Sequence, residues 1–294
     1  MASAQEAAVR CRVAPRLVEP HCHRAMSTDD HPHRTTLSPE ETGGLGTLTV
    51  EHPAGTFPPS PATRATVLAI AAAGPKLEGT GFDWGCGVGI LAVAAARVSG
   101  VRRVIGLDLS PANVEAARVN AVQNEVAART GFFVADSFHP VSDEGRREVE
   151  GLAGRGDFLI ANPPASATGD GFDLRRRLLA EGRAFLRFGA IVLLQALSAY
   201  GSRRVESLTR QPGGYAYEGI VHRTPLVPVT HGPGQINEHL ATYVRAERSG
   251  ARAYEFAADR SARRMLSASE AQEHVHGGGD LFGRWQVHRF RRTG

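Results

Sequence analysis

The chain has 294 residues, 42% of them hydrophobic and 22% charged, with a formal net charge of +4, which is enough apolar material for one large domain with additions. Gly 33 and Pro 17 together stay below the share that marks low-complexity chains, so global disorder is excluded. The longest apolar runs, Val67 to Ala73 and Ala190 to Leu194, fall well short of the ~18 residues of a membrane span. Three cysteines, Cys11, Cys22 and Cys86, make no disulfide framework. These features read as a soluble, cytoplasmic chain with no membrane partner. Lys76 is the only lysine, so the basic balance is arginine, which permits a polyanionic partner without pointing to one.

Residues 1–46 carry Ser, Thr, Pro, His and charge without a sustained apolar period and are expected to be a disordered N-terminal tail. The tail has no apolar signal-peptide core, and Met26, opening Ser27-Thr28-Asp29-Asp30, is a second candidate start. Thr47 to Val50 alternates as a short strand, and Ser60-Pro61 supplies an N-cap and first-turn proline for a helix through Ala73, with Gly74 as its stop. Strands are expected at Val104 to Leu107, Gly131 to Ala135, Phe158 to Ala161 and Ala190 to Leu194. Helices are expected from Ser110-Pro111 to about Asn124 and from Asp173 to about Leu186. Strands alternating with helices predict a parallel sheet covered on both faces. Beyond Tyr200 the pattern weakens to a helix ending near Thr209, a strand around Tyr217 to Val227, helices near Ile236 to Arg248 and Tyr254 to Ser269, and a closing strand from Trp285 to Arg291.

The strongest motif is Asp83-Trp84-Gly85-Cys86-Gly87-Val88-Gly89, a turn between an apolar strand and an Ala-rich helix. Glycines let a backbone approach a ligand closely, and the helix N-terminus offers free N–H groups. The dinucleotide fingerprint is G-x-G-x-x-G, whereas here the third glycine arrives one residue early, which argues against NAD and for S-adenosylmethionine. Asp83 to Asp108 is 25 residues, Asp108 to Asp136 is 28 and Asp136 to Asn162 is 26, each one strand, one helix and two short loops. The four polar residues are therefore expected at the C-terminal ends of successive parallel strands, where open α/β sheets bind ligands. Asp108, with Leu109 after it, suits a bidentate bond to ribose hydroxyls. Asp136, followed by Ser137 and Phe138, suits an adenine amino group. In Asn162-Pro163-Pro164, two prolines fix the backbone so that the Asn162 side-chain oxygen and the Pro163 carbonyl can accept from one N–H₂ group.

On Asp83 to Gly89 and Asn162 to Pro164 the chain resembles class I S-adenosylmethionine-dependent methyltransferases, in the branch with an Asn-Pro-Pro-aromatic motif. That branch includes methylases of exocyclic base nitrogens and of the release-factor glutamine amide. The resemblance implies an α/β, Rossmann-like, seven-stranded and mostly parallel sheet over residues 47–227 plus 284–294. It makes residues 228–283 an insertion in the last hairpin, as a lid or as a substrate or oligomer element. It implies S-adenosyl-L-methionine as cofactor, held by Asp83, Gly85, Cys86, Gly87, Gly89, Asp108, Leu109, Asp136, Ser137 and Asn162, with Phe57-Pro58-Pro59 and Thr63 laid over it. Asn162 and Pro163 would be catalytic, and Phe57, Pro164 and Ala165 would face the substrate.

The chain departs from this branch at Ala165, where the family has an aromatic that stacks on the planar target. Either Phe57, Phe138 or Phe172 supplies the stacking, or the substrate is not a flat base, or the protein binds cofactor without methylating. The expected reaction is in-line methyl transfer to a nitrogen of a macromolecule, a protein amide or an RNA base, with a small metabolite or a non-catalytic cofactor-binding subunit as alternatives. No metal is expected. His21, Cys22, His23, His31 and His33 lack ligand spacing, and His274 and His276 beside Gly277-Gly278-Gly279 read as a flexible loop. Arg175-Arg176-Arg177 and Arg289, Arg291 and Arg292 could meet phosphates or simply be solvated.

Overall fold

The structure, a computed structural model, describes residues 31–56, 59–166, 169–229 and 237–294. Order begins earlier than the expected tail boundary at residue 46. Strand β1 (His33–Leu37) pairs antiparallel with β2 (Leu48–His52), and Leu37 faces Leu48 with both side chains buried. A strand that buries a single apolar side chain leaves no period to read, which is why this one was missed. His21, Cys22, His23 and the Met26 start lie outside the described residues.

Helix α1 (Pro61–Ala73) starts where expected, with the Ser60 hydroxyl accepting from the Thr63 amide. The chain then alternates as β3 (Gly79–Trp84), α2 (Ile90–Ala96), β4 (Val101–Asp108), α3 (Pro111–Gln123) and β5 (Thr130–Asp136). A hairpin at Ser137, whose φ is +56°, turns the chain back as the short β6 (His139–Pro140), and an unforeseen helix α4 (Asp143–Glu150) follows, capped by Ser142. Next come β7 (Gly156–Ala161), α5 (Asp173–Gly182), β8 (Leu186–Leu197), α6 (Ser202–Ser207) and β9 (Tyr215–Arg223). Helix α5 ends at Gly182 rather than near Leu186, because β8 already begins at Leu186.

Between β9 and the final strand lie β10 (Val227–Pro228), α7 (Asn237–Arg248), β11 (Phe256–Ala257), β12 (Met265–Leu266), α8 (Ala268–His276) and β13 (Phe282–Gly283). These short strands form a second sheet in the order β10-β13-β11-β12. The helix expected over Tyr254 to Ser269 is instead the β11–β12 pair, and α8 starts at Ala268, where Ser267 and Glu270 form a reciprocal capping box. His274 and His276 occupy the last turn of α8 rather than a flexible loop.

The main sheet runs β6-β5-β4-β3-β7-β8-β14-β9, with β14 (Trp285–Arg292) antiparallel to both β8 and β9. Strands β5, β4, β3, β7 and β8 are mutually parallel. Without the two-residue β6 the sheet has the seven strands expected. Helices α1, α2 and α3 cover one face through Ile70, Val93 and Val114, and α4, α5 and α6 cover the other through Val149, Leu178 and Val205. Each such side chain contributes roughly 1.5–3 kcal/mol on burial. No helix among the described residues is long and apolar enough to cross a membrane.

The outer edge of β2 is satisfied by side chains of α3 rather than by another strand. Asn120 accepts from the Glu51 amide at 2.8 Å and donates to the Glu51 carbonyl at 3.0 Å, while Asn124, one turn on, does the same to Thr49. Asn120 also donates to the Val88 carbonyl at 2.9 Å, tying β2 to the glycine loop. Asn120→Ala strips partners from buried backbone groups, so urea titration should show a loss of about 2–3 kcal/mol. An unchanged midpoint would mean that water satisfies the edge equally well.

Candidate functional site

Strands β3, β4, β5 and β7 end in one layer: Asp83 faces Gly106 across β4, Asp108 faces Val134, and Trp84 faces Ala161. Asp83 is the penultimate residue of β3, Asp108 and Asp136 close β4 and β5, and Asn162 follows β7. The 25 to 28-residue spacing thus brings the four polar residues to the same sheet edge.

The expected free N–H groups are confined to Val88, Ile90 and Leu91, whose amides have no hydrogen bond among the described residues, while the other amides of the glycine loop are already bonded. The amides of Gly85 and Cys86 donate to the Leu107 carbonyl at 2.8 and 3.0 Å, that of Gly89 donates to the Cys86 carbonyl at 2.9 Å, and that of Gly87 donates to Asp108 Oδ2 at 2.8 Å. The loop also offers space: Gly85 and Gly87 have φ of +68° and +53°, and a Cβ on either would meet nothing within 4 Å. Gly89, in contrast, is a packing residue, since a Cβ there would lie 2.8 Å from that of Ala117.

Asp83 and Cys86, expected to contact cofactor, lie beneath the loop. Asp83 is fully buried, and its Oδ2 accepts from the Ala92 amide at 2.9 Å, fastening α2, while Oδ1 has no partner among the described residues. Burial, assisted by Asp108, raises its pKa to about 7. Burial also pushes the Cys86 thiol well above its usual range, leaving it neutral.

Asp108 is half-buried and heavily used. Besides Gly87, it accepts on Oδ1 from the Ser110 amide and from Asn113 Nδ2, both at 2.9 Å. One of the roughly four acceptor directions of a carboxylate remains, fewer than the two that a bidentate contact uses. Leu109 beside it is 57% exposed, an apolar surface open to a ligand. Asp136, assigned to an adenine amino group, is paired with Arg177 at 2.8 Å. Ser137 accepts from Trp84 Nε1 at 2.8 Å, so its hydroxyl secures the end of β3.

At the Asn-Pro-Pro turn, Asn162 Nδ2 donates to Thr63 Oγ1 at 3.4 Å, which orients the amide and leaves Oδ1 as its acceptor. Thr63 sits in the first turn of α1, within reach of the Ser60 hydroxyl. The Pro163 carbonyl accepts from Arg175 Nη2 at 2.9 Å, which uses one of its two acceptor directions. Pro164 is exposed and Ala165 half-buried. Of the aromatics expected as candidates to stack on a target, Phe138 is buried against Phe82 and Phe185, and Phe172 against Tyr200. Phe57 lies outside the described residues.

The arginine clusters separate on folding. Arg176 pairs with Asp170 and Asp173, Arg177 with Asp136 and Glu181, and Arg175 turns inward. Arg289 and Arg291 pair with Glu218, and Arg292 covers Phe188. Sequence reasoning left these residues and the Thr63 contact unassigned, and a run of arginines carries no signal of which one faces inward.

The family described as Ribosomal protein L11 methyltransferase (PrmA) matches residues 61–162, from the first residue of α1 to Asn162. The match ends at the site. The ribosomal protein L11 methyltransferase of Dechloromonas aromatica is 52% identical over 65 residues, 22% of this chain and 20% of that protein. That of Laribacter hongkongensis is 41% identical over 82 residues, 28% of this chain and 24% of that protein. The chain thus spans about a fifth to a quarter of the length of the curated relatives it matches. A 16S rRNA N2 methyltransferase structure from T. thermophilus superposes with a TM-score of 0.48 at 18% identity, over 64% of this chain and 47% of that one; the topology described above rests on the strand pairings alone.

Asp83 makes the stability of the site pH-dependent. An unfolded aspartate titrates near ~3.9, and in the fold Asp83 titrates at about 7. Between those values the folded state holds a proton that the unfolded state has released, so stability falls as pH rises through the interval and levels off above it. Asp83→Asn keeps the acceptor for Ala92 and removes the titration. Its urea midpoint should gain on wild type between about pH 4 and about pH 7, and parallel profiles would show that Asp83 is ionised throughout.

Proposed function

We propose that the chain is an S-adenosylmethionine-dependent methyltransferase that methylates a nitrogen of a macromolecule, a protein in the first instance. The observation that carries the reading is the juxtaposition, on adjacent strands β3 and β7, of the open face at Gly85 and Gly87 with the oriented acceptor Asn162. A dinucleotide needs backbone donors for its pyrophosphate, and four amides of this loop are already bonded within the protein. S-adenosylmethionine has no phosphate, and it fits a loop that offers space, one free acceptor direction on Asp108 and the apolar Leu109. The PrmA family match over residues 61–162 and the L11 methyltransferase relatives support the same reading and make a protein the first acceptor class to test.

When bound, S-adenosylmethionine supplies an electrophilic methyl that passes to the nitrogen lone pair as the carbon–sulfur bond breaks, sulfur keeping the electron pair. Asn162 Oδ1 accepts an N–H of the target, which aims the lone pair and favours the positive charge that develops on nitrogen. Thr63 keeps that oxygen facing outward by accepting from Nδ2. The nitrogen becomes acidic once methylated, so its proton passes to water and no strong base is required.

Calorimetric titration with S-adenosylmethionine, S-adenosylhomocysteine and NADH tests the cofactor. Binding of the first two, weakened at least about tenfold in Asp108→Ala by loss of an acceptor and of the Gly87 tie, is expected. Preference for NADH, or no binding of either sulfur compound, would overturn the reading. Tritiated methyl transfer to purified ribosomal protein L11, ribosomal RNA and a small-molecule extract tests the acceptor. Label in protein supports the proposal, and label only in RNA or only in small molecules moves the acceptor class. Asn162→Ala should lower turnover by about 100-fold with little change in cofactor affinity.

A further inference from the structure

The Asn162-Pro163-Pro164 turn has a backbone problem that its own residues cannot solve. Proline has no N–H, so two successive prolines present carbonyls and no donors, and among the described residues backbone bonding resumes where the Ser166 amide donates to the Gly171 carbonyl. A donor from elsewhere must hold the turn if Asn162 is to keep one position. Arg175, on the inner face of α5, is 2% exposed, and among the described residues it has no carboxylate within ion-pair distance. Its Nη2 donates to the Pro163 carbonyl at 2.9 Å and its Nη1 to the Pro164 carbonyl at 3.2 Å. Its Nε donates to the Gln195 carbonyl at 3.0 Å, and the Phe172 and Tyr200 rings flank it with centroids at 5.1 and 5.6 Å. Gln195 follows Leu194, which faces Ala161 across β7 and β8, so one guanidinium joins the ends of both strands.

A buried guanidinium is costly unless its donors are satisfied, and an apolar residue of similar size would fill the same space at less cost. What an apolar residue could not do is hold three carbonyls in a plane, for which the rigid fork of arginine is suited.

We propose that Arg175 is a positioning residue for the methyl-transfer site. It holds the Asn162-Pro163-Pro164 turn from within and occupies one of the two acceptor directions of the Pro163 carbonyl, so that Asn162 Oδ1 keeps one position toward the target N–H. The inference rests on the methyltransferase reading for its catalytic consequence, and on geometry alone for the clamp.

Arg175→Met and Arg175→Lys test it by three measurements on the full chain. Hydrogen exchange of peptides within residues 160–172 should accelerate by about tenfold or more in the Met variant, with β4 and β5 still protected, and less in the Lys variant, whose single nitrogen replaces only part of the fork. Affinity for S-adenosylhomocysteine should stay within about threefold, since Arg175 bonds to Pro163, Pro164 and Gln195 and to no residue of the glycine loop. The maximal rate with the acceptor that wild type methylates should fall by about 100-fold in the Met variant, with KM little changed and partial rescue by Lys. Unchanged exchange at 160–172 in the Met variant, or protection lost equally across the chain, would overturn the proposal. If the Met variant does not fold, the Lys variant carries the same comparison. A wild type that binds neither S-adenosylmethionine nor S-adenosylhomocysteine would overturn the methyltransferase reading instead, and the exchange comparison would still decide the clamp.

Discussion

The hydrogen bond from the Gly87 amide to Asp108 joins the loop after β3 to the end of β4, and the shape of the candidate site depends on it. A loop that turns at Gly85, Gly87 and Gly89 has little of its own to hold it, since glycine loses more conformational freedom on folding than any other residue. Asp108 supplies the restraint from the neighbouring strand, and its other oxygen starts α3 through Ser110 and Asn113. From α3, Asn120 returns to the Val88 carbonyl and to β2. One carboxylate and one amide thus link two strands, a helix and the β1–β2 pair around the loop.

Polar groups at this sheet edge are mostly spent on the protein itself, and that shapes what a ligand can find. The loop amides bond to Leu107, Cys86 and Asp108; Asp136 bonds to Arg177; Ser137 bonds to Trp84; and the Pro163 carbonyl bonds to Arg175. Left over among the described residues are the amides of Val88, Ile90 and Leu91, open backbone at Gly85 and Gly87, the apolar Leu109, one direction on Asp108 and the oxygen of Asn162. A surface with few free donors and an apolar patch suits an uncharged adenosyl group better than a pyrophosphate.

The second sheet and α7 attach to this edge through aromatic rings, together with a backbone bond from the Glu255 amide to the Ala199 carbonyl at 2.7 Å. Tyr200 and Tyr243 share a hydrogen bond at 2.8 Å, and Tyr254 donates to the Asp170 carbonyl in the segment that leads from the Asn-Pro-Pro turn to α5. Arg204 lies over the Tyr254 ring at 4.0 Å. The segment between β9 and β14 is thereby packed against the same loop that carries Asn162.

The chain alone made legible the alternation of strands and helices, the caps at Ser60 and Ser110, and the meeting of Asp83, Asp108, Asp136 and Asn162 at one edge. Those features are local or periodic, and a repeat of one strand and one helix converts spacing in sequence into position in space. The strand His33–Leu37 was hidden because one buried leucine makes no pattern, and the β11–β12 pair was read as helix because two-residue strands have no period. Which acids face a ligand was decided by packing: Asp83 and Asp108 look equivalent in sequence, yet one is sealed beneath α2 and the other stands at the rim. The same holds for Arg175, Arg176 and Arg177, three identical side chains that a helix turns toward three different environments about 100° apart. Composition and spacing say which residues reach the edge of the sheet; which of their atoms remain free there depends on partners far along the chain, brought close only when the layers pack.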